Sequence, residues 1–180
     1  MPSSSYNTIS AIVSAIMQLN PTSVLDIGPG FGKYGVLARE YLELWDSRNE
    51  YDDWKRTIDC LEINKDYITD LHTYIYDDII IGNALDVKIE KKYDLILMID
   101  VIEHFTMEDG KKVLKKLLKK CKDILIVTPK KYRQNKDSNF GYEFEEHKSL
   151  WLMDDFGEFK INTSQQNENF SLVLLEGDRE

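Results

Sequence analysis

The sequence predicts an α/β fold, an open and mostly parallel sheet with helices on both faces. Three observations carry that expectation. Short apolar runs at residues 24–27, 57–63, 78–81, 93–99 and 123–127 alternate with helical or polar segments. The run at 93–99 is nearly all apolar, as suits a parallel strand buried on both faces. The first run leads into Gly28-Pro29-Gly30-Phe31-Gly32 and then a helical pattern, so strand, tight turn and helix follow one another.

In order, residues 5–19 read as a helix, because Ile9, Ile12, Val13, Ile16 and Met17 make one apolar stripe. A serine among Ser3 to Ser5 caps it. Asn20-Pro21 ends it, since proline disfavours helix at the preceding residue. Strand 24–27 and the glycine turn follow. The helix over 33–45 then shares a face among Tyr34, Leu37, Ala38, Tyr41, Leu44 and Trp45. Residues 46–56 carry both charge signs and read as a surface loop. Strand 57–63 ends on an acid, a short helix covers 66–74, and strand 78–81 is closed by Gly82-Asn83-Ala84. Strand 93–99 runs into Asp100-Val101-Ile102-Glu103-His104. Thr106, with Asp109 in the capping-box position, starts a helix that reaches about Cys121. Strand 123–127, a polar and aromatic segment 130–148, a short helix near 149–155 and strands at 158–162 and 170–175 complete the chain. The last two strands read as a hairpin, since nothing between them suffices for a crossover helix.

At 180 residues, with 42% hydrophobic and 31% charged residues, we expect a single domain over 1–180 with a full core. No apolar run approaches the roughly 20 residues of a membrane span. The N-terminus lacks the pattern of a signal peptide, and Cys60 and Cys121 read as small buried hydrophobes. Together these point to the cytoplasm. The net charge of −9 argues against broad binding to nucleic acid phosphates.

Residues 28–32 spell G-x-G-x-G. A dinucleotide fingerprint wants its third glycine at position 33, where this chain has Lys33, which counts against NAD and FAD. A plain structural turn is the competing reading. Glu62, at the end of the second strand, can accept both hydroxyls of a ribose, or be a solvated acid. Asn83 can bond an adenine amino group while the Ala84 amide reaches a ring nitrogen, or the pair can be an ordinary turn. All three lie at the carboxyl ends of predicted parallel strands, where such sheets bind ligands.

In these residues the chain resembles the class I S-adenosylmethionine-dependent methyltransferases. The matches are residues 25–32, Glu62, Gly82-Asn83-Ala84, and Asp94-Leu95-Ile96 running into residues 100–104. Within that class, Gly32-Lys33-Tyr34-Gly35, Arg39-Glu40-Tyr41, Glu145, His147, Ser149 and Trp151 look like a group of small bacterial enzymes of uncertain substrate. The resemblance implies a Rossmann-like seven-stranded sheet in the order 3-2-1-4-5-7-6, with an antiparallel last strand. It implies S-adenosylmethionine as cofactor. Asp26 and the backbone of Gly28 and Gly30 would face its methionine part, with Pro29 and Gly32 in the same loop also at the cofactor, Glu62 would hold the ribose, and Ile63 would pack on adenine. Asn83 stands where many members carry Asp. The Asp100-Val101 backbone would hold the cofactor's amino group.

Methyl transfer is an in-line displacement in which the protein aligns the acceptor and excludes water. Some oxygen or nitrogen acceptors also call for a base, for which His104 and His147 are the candidates. His104 could instead cap the next helix. Residues 139–151, with Phe140, Tyr142, Glu143, Phe144, Glu145, Glu146 and Trp151, read as an acceptor wall or a packed surface loop. Glu103, His104, Glu145 and His147 make a weak metal pattern, and no metal is expected. His72 falls in a short surface helix without a role. Lys111, Lys112, Lys115, Lys116, Lys119, Lys120 and Lys122 read as a solvated helix face, with contact to an anionic partner as the alternative. The expected activity is methyl transfer to an oxygen or nitrogen of a small molecule. A non-catalytic binding module with the same fold is the alternative, and an NAD-dependent oxidoreductase is disfavoured.

Overall fold

The apolar runs become β1 (Ser23–Ile27), β2 (Thr57–Glu62), β3 (Ile79–Ile81), β4 (Tyr93–Ile99) and β5 (Cys121–Pro129), followed by β6 (Ile161–Gln166) and β7 (Phe170–Glu176). The structure, a computed structural model, describes residues 3–131 and 143–178. Its seven strands form one sheet in the order β3-β2-β1-β4-β5-β7-β6. Both β1–β2 and β2–β3 pair in parallel, whereas β7 runs antiparallel to β5 and β6. The chain divides into two compact units, Met1–Leu97 and Met98–Glu180.

In the first unit, Ser5 caps a short 3-10 turn that leads into α1 (Ile9–Leu19). Only Ile12 and Ile16 of the expected stripe are fully buried. Asn20 takes a left-handed conformation (φ 44°) and closes the helix by donating its N–H to Ile16 O. The next helix, α2 (Lys33–Leu42), stops short of the expected Trp45, which is 67% exposed. Its buried face includes Arg39 and its C-cap is the buried Glu43, two charged residues that a hydrophobic pattern misses. Both are paired. Arg39 donates to Asp77, to Ile75 O and to Arg56 O, and Glu43 accepts from Arg48 and from the Lys55 and Arg56 amides. A buried charge persists only when bonded in this way. The expected loop 46–56 is folded around the Glu43 carboxylate and holds a 3-10 turn at Tyr51–Asp53.

The helix expected over 66–74 is two pieces, a 3-10 turn Lys65–Tyr67 and α3 (Asp70–Ile75). Thr69 breaks them apart because it serves as the extended N-cap of α3.

In the second unit, α4 (Met107–Leu118) starts at Thr106, whose hydroxyl accepts the Asp109 N–H. The Asp109 carboxylate accepts from that same hydroxyl rather than from the Thr106 amide, so the cap forms but only half of the expected capping box. Val113, Leu114 and Leu117 face the core. Cys121 begins β5 rather than ending the helix, because Lys120 N–H closes on Leu117 O and the chain turns there. The expected helix at 149–155 is only a 3-10 turn, Met153–Phe156. Residues 149–152 instead lay Trp151 into the core, where its ring packs on Phe156 at 5.0 Å. The strand expected at 158–162 lies later, at Ile161–Gln166. All six of its residues are exposed, so pairing with β7 rather than apolar pattern sets its place. The hairpin itself forms, with Asn167 Oδ1 accepting the Phe170 N–H in the turn. Among the described residues, no helix is long and apolar enough to cross a membrane.

Candidate functional site

In the first unit, the β1 end is built by backbone conformation. Gly28, Gly30 and Gly32 have φ of 65°, 56° and 85°, values that favour glycine. The Gly28 N–H continues the ladder onto Leu61 O at 2.9 Å, and Gly32 N–H returns to Pro29 O at 2.9 Å. Gly32 is the N-cap of α2 and has no side chain to occupy the first turn. Lys33, where a dinucleotide loop would have glycine, reaches Ser4 O at 2.6 Å.

Beneath the loop lies a floor that the sequence did not disclose. His72, expected on a surface helix without a role, is fully buried. Its Nδ1 accepts the Thr69 N–H at 3.1 Å, and its Nε2 donates to Gly30 O at 2.9 Å. One turn later Tyr76 donates its hydroxyl to Asp26 Oδ2 at 2.6 Å. The Tyr76 ring packs so close to α2 that a Cβ on Gly35 would meet it at 2.5 Å. The missed signal was the spacing Thr69, His72, Tyr76, which puts a cap and two ring residues on one side of about two helical turns. Asp26 is thus held by Tyr76. Burial, its largest influence, pushes its carboxyl up to about 7, with the Glu62 charge adding and the Tyr76 bond opposing.

At the end of β2, Glu62 is buried and its Oε1 accepts the Asn64 N–H at 2.9 Å, which orients the carboxylate. Asn64 Nδ2 is buried without a hydrogen-bond partner among the described residues. Ile63 is 40% exposed, an apolar side chain left at a strand end. At the end of β3, Asn83 Oδ1 accepts the Leu85 N–H at 2.9 Å. That bond is the turn geometry weighed against the adenine role, and it occupies one acceptor position of the amide. Ala84 is buried. These residues fit an adenosine moiety in three respects: a glycine cradle, an oriented acid at the next strand end, and an exposed aliphatic beside it. Asn83 fits less well.

In the second unit, β4 ends at Asp100, which adopts φ 54°, unusual for a residue with a side chain. Its N–H is held by Val127 O at 2.8 Å. Val101 then leads into a 3-10 turn, Ile102–His104. His104 does not cap α4, since Thr106 does. Its Nδ1 lies 3.2 Å from Glu146 O, and its ring meets His147 edge-on at 5.0 Å. Two amides, Lys148 N–H (2.8 Å) and Ser149 N–H (3.1 Å), both close on Glu103 O and bring His147 alongside. Glu103, His104 and His147 thereby present ligand atoms that all lie within 4.8 Å of one another. Glu145, the fourth member of the sequence pattern, is outside this group. Burial lowers the pKa of His104 and raises that of Glu103 well above the usual carboxylate range, the Asp100 charge adding to the latter.

Trp151 belongs to the core, not to an acceptor wall. Its indole N–H donates to Ser149 Oγ at 2.9 Å, and Ser149 Oγ donates to Phe105 O at 2.8 Å. Phe140 and Tyr142 lie outside the described residues, as does the side chain of Glu143. Part of the lysine face of α4 is neutralised locally: Lys111 and Lys115 both bridge to Glu158, and Lys112 to Glu108 and Asp109. Cys60 and Cys121 are buried free thiols.

The solved structures this chain is similar to share the fold at low identity. One is a Pyrococcus horikoshii OT3 protein, with a TM-score of 0.67 and 16% identity over 96% of this chain and 89% of that one. A second is an S-adenosylmethionine-dependent methyltransferase of Clostridium acetobutylicum ATCC 824, with a TM-score of 0.67 and 13% identity, covering 96% and 92% of the two chains. A third is magnesium protoporphyrin IX methyltransferase of Synechocystis PCC 6803, solved with bound SAH, with a TM-score of 0.64 and 13% identity over 96% and 83%. Strand order and neighbours define the fold as that of the class I S-adenosylmethionine-dependent methyltransferases. Residues 3–137 match the family described as mitochondrial small ribosomal subunit Rsm22, and the chain belongs to that family. No curated protein sequence matches the chain.

Proposed function

We propose that the protein binds S-adenosylmethionine and transfers its methyl group to an oxygen or nitrogen acceptor. The observation that carries this reading is the left-handed glycine series at 28, 30 and 32 followed, at the next strand end, by an oriented and buried Glu62. A backbone without side chains admits the close approach of a ligand, and an acid at that position pairs with ribose hydroxyls. The cofactor of the neighbouring methyltransferases supports the same choice. A sulfonium-bound methyl group is the reactive element that the cofactor would supply.

In this reading Asp26, Gly28, Pro29, Gly30 and Gly32 face the methionine part. Glu62 receives the ribose hydroxyls and Ile63 covers one adenine face. The Ala84 amide and the remaining acceptor capacity of Asn83 read the adenine edge. The Asp100-Val101 backbone takes the amino group. His104 and His147 are the acceptor-side imidazoles. The single methyltransferase domain over residues 1–180 is part of this reading.

The acceptor proposed is a small molecule, because the net charge of −9 disfavours a broad polyanion surface and the lysines of α4 are partly bridged to acids. The family match favours a second acceptor, a component of the small ribosomal subunit. The test is transfer of labelled methyl from S-adenosylmethionine to a panel of hydroxyl and amine small molecules and to small ribosomal subunits. The reading expects label on one acceptor class and its loss in Glu62→Ala. Tight cofactor binding with no transfer to any acceptor would favour the non-catalytic module instead.

A further inference from the structure

We propose that Glu103, His104 and His147 form a binding site for a divalent first-row transition-metal ion. This site uses the two imidazoles that the methyl-transfer reading places on the acceptor side, and it revises that reading, since as ligands they no longer serve as free bases.

Glu103 and His104 sit on one 3-10 turn, while His147 arrives from a segment more than forty residues further along the chain. The Lys148 and Ser149 amides fasten that segment to the Glu103 carbonyl and so fix His147 in place. The three ligand atoms lie within 4.8 Å of one another. Atoms bound to a tetrahedral centre at about 2.0–2.1 Å stand roughly 3.4 Å apart, so small side-chain rotations bring the three to bonding distance.

The carboxylate carries the second argument. Glu103 is 1% exposed, and its Oε1 is buried with no hydrogen-bond partner among the described residues. The carboxylate's remaining bonds are a long one from Thr128 Oγ1, at 3.4 Å, and one from the Glu103 backbone amide. A buried carboxylate oxygen left without a partner is costly, and a bound cation removes that cost.

The histidine supplies the third. His104 Nδ1 lies on the Glu146 carbonyl at 3.2 Å. The Asp100 and Glu145 backbones also lie against this ring. A tautomer with its proton on Nδ1 leaves Nε2 as the ligand atom, the arrangement in which a backbone carbonyl orients a metal-bound imidazole. Two imidazole nitrogens and one carboxylate oxygen suit zinc, iron, cobalt or manganese better than calcium or magnesium, which take oxygen donors. Three protein ligands leave a coordination position for water or for an oxygen of another molecule.

The test uses the full chain freed of metal with a chelator and titrated with Zn2+ by calorimetry and with Co2+ by visible absorption. The site expects one ion per chain and a Co2+ spectrum of nitrogen and oxygen ligation, without the thiolate band that Cys60 or Cys121 would give. His104→Gln, His147→Gln and Glu103→Gln each expect a loss of affinity of about 100-fold or more, at or beyond the upper end of what an orienting partner contributes. Absence of a stoichiometric ion, a thiolate band, or unchanged affinity in the histidine variants would each overturn the proposal. The Co2+ spectrum of the unaltered chain decides the matter even where a variant fails to fold.

Discussion

The Nε2 of His72 donates to the carbonyl oxygen of Gly30 across 2.9 Å, joining α3 to the middle of the glycine turn. The acceptor is buried, and the opposite ring nitrogen is committed to the Thr69 amide at 3.1 Å. The imidazole is therefore a bridge with both ends used. Together with Tyr76 on Asp26 it forms the support on which the loop keeps its left-handed glycines.

Replacing His72 by alanine leaves the Gly30 carbonyl buried without its donor. Such an orphaned group costs about 1–3 kcal/mol. We expect His72→Ala to unfold at a lower denaturant midpoint and to bind S-adenosylmethionine more weakly. A midpoint equal to that of the unaltered chain would mean that the bridge contributes nothing to the loop.

Gly35→Ala tests the same floor from the helix side. The added methyl would stand 2.5 Å from the Tyr76 ring, which has no exposed direction in which to retreat. Overpacking of this kind costs about 1–3 kcal/mol, read as a lower melting temperature. Unchanged melting would show that Tyr76 does not pack against α2 as described.

The carboxyl of Asp26 gives a pH dependence with a definite sign. Its ordinary value of 3.8 rises to about 7 in the folded chain, chiefly through burial. Between those values the folded state holds a proton that the unfolded state releases, so this group's contribution to stability falls as pH rises. The penalty is absent below the lower value and complete above the upper one. Asp26→Asn removes the titration. Its stability relative to the unaltered chain should therefore increase between about pH 5 and about pH 8 in denaturant titrations. A constant difference across that range would contradict the raised value.

Much of this architecture was legible in the sequence because apolar period and turn chemistry are local signals. The strands through 127, the Thr106 cap and the hairpin all follow from them. What escaped depends on partners distant in the chain. Arg39 and Glu43 look like surface residues of α2 until Asp77, Arg48 and the 55–56 amides close on them. His72 looks idle until Gly30 is known to lie over it. The β6 strand has no buried side chain and so left no apolar trace. The placement of Glu62, Asn83 and the glycine turn at strand ends was readable because strand ends fix their positions. His104 and His147 were grouped from the sequence only as a weak pattern, because the two backbone hydrogen bonds to Glu103 that bring them together leave no local signal.

The central claim rests on Glu62 and the glycine turn receiving S-adenosylmethionine. Calorimetric titration of the full chain with S-adenosylmethionine, beside NAD and beside Glu62→Ala, tests it most directly. The account predicts one equivalent of S-adenosylmethionine bound, no heat from NAD, and affinity lowered about tenfold or more in the variant, as loss of hydrogen bonds to a charged group requires. No binding of S-adenosylmethionine, or equal affinity in Glu62→Ala, would contradict it.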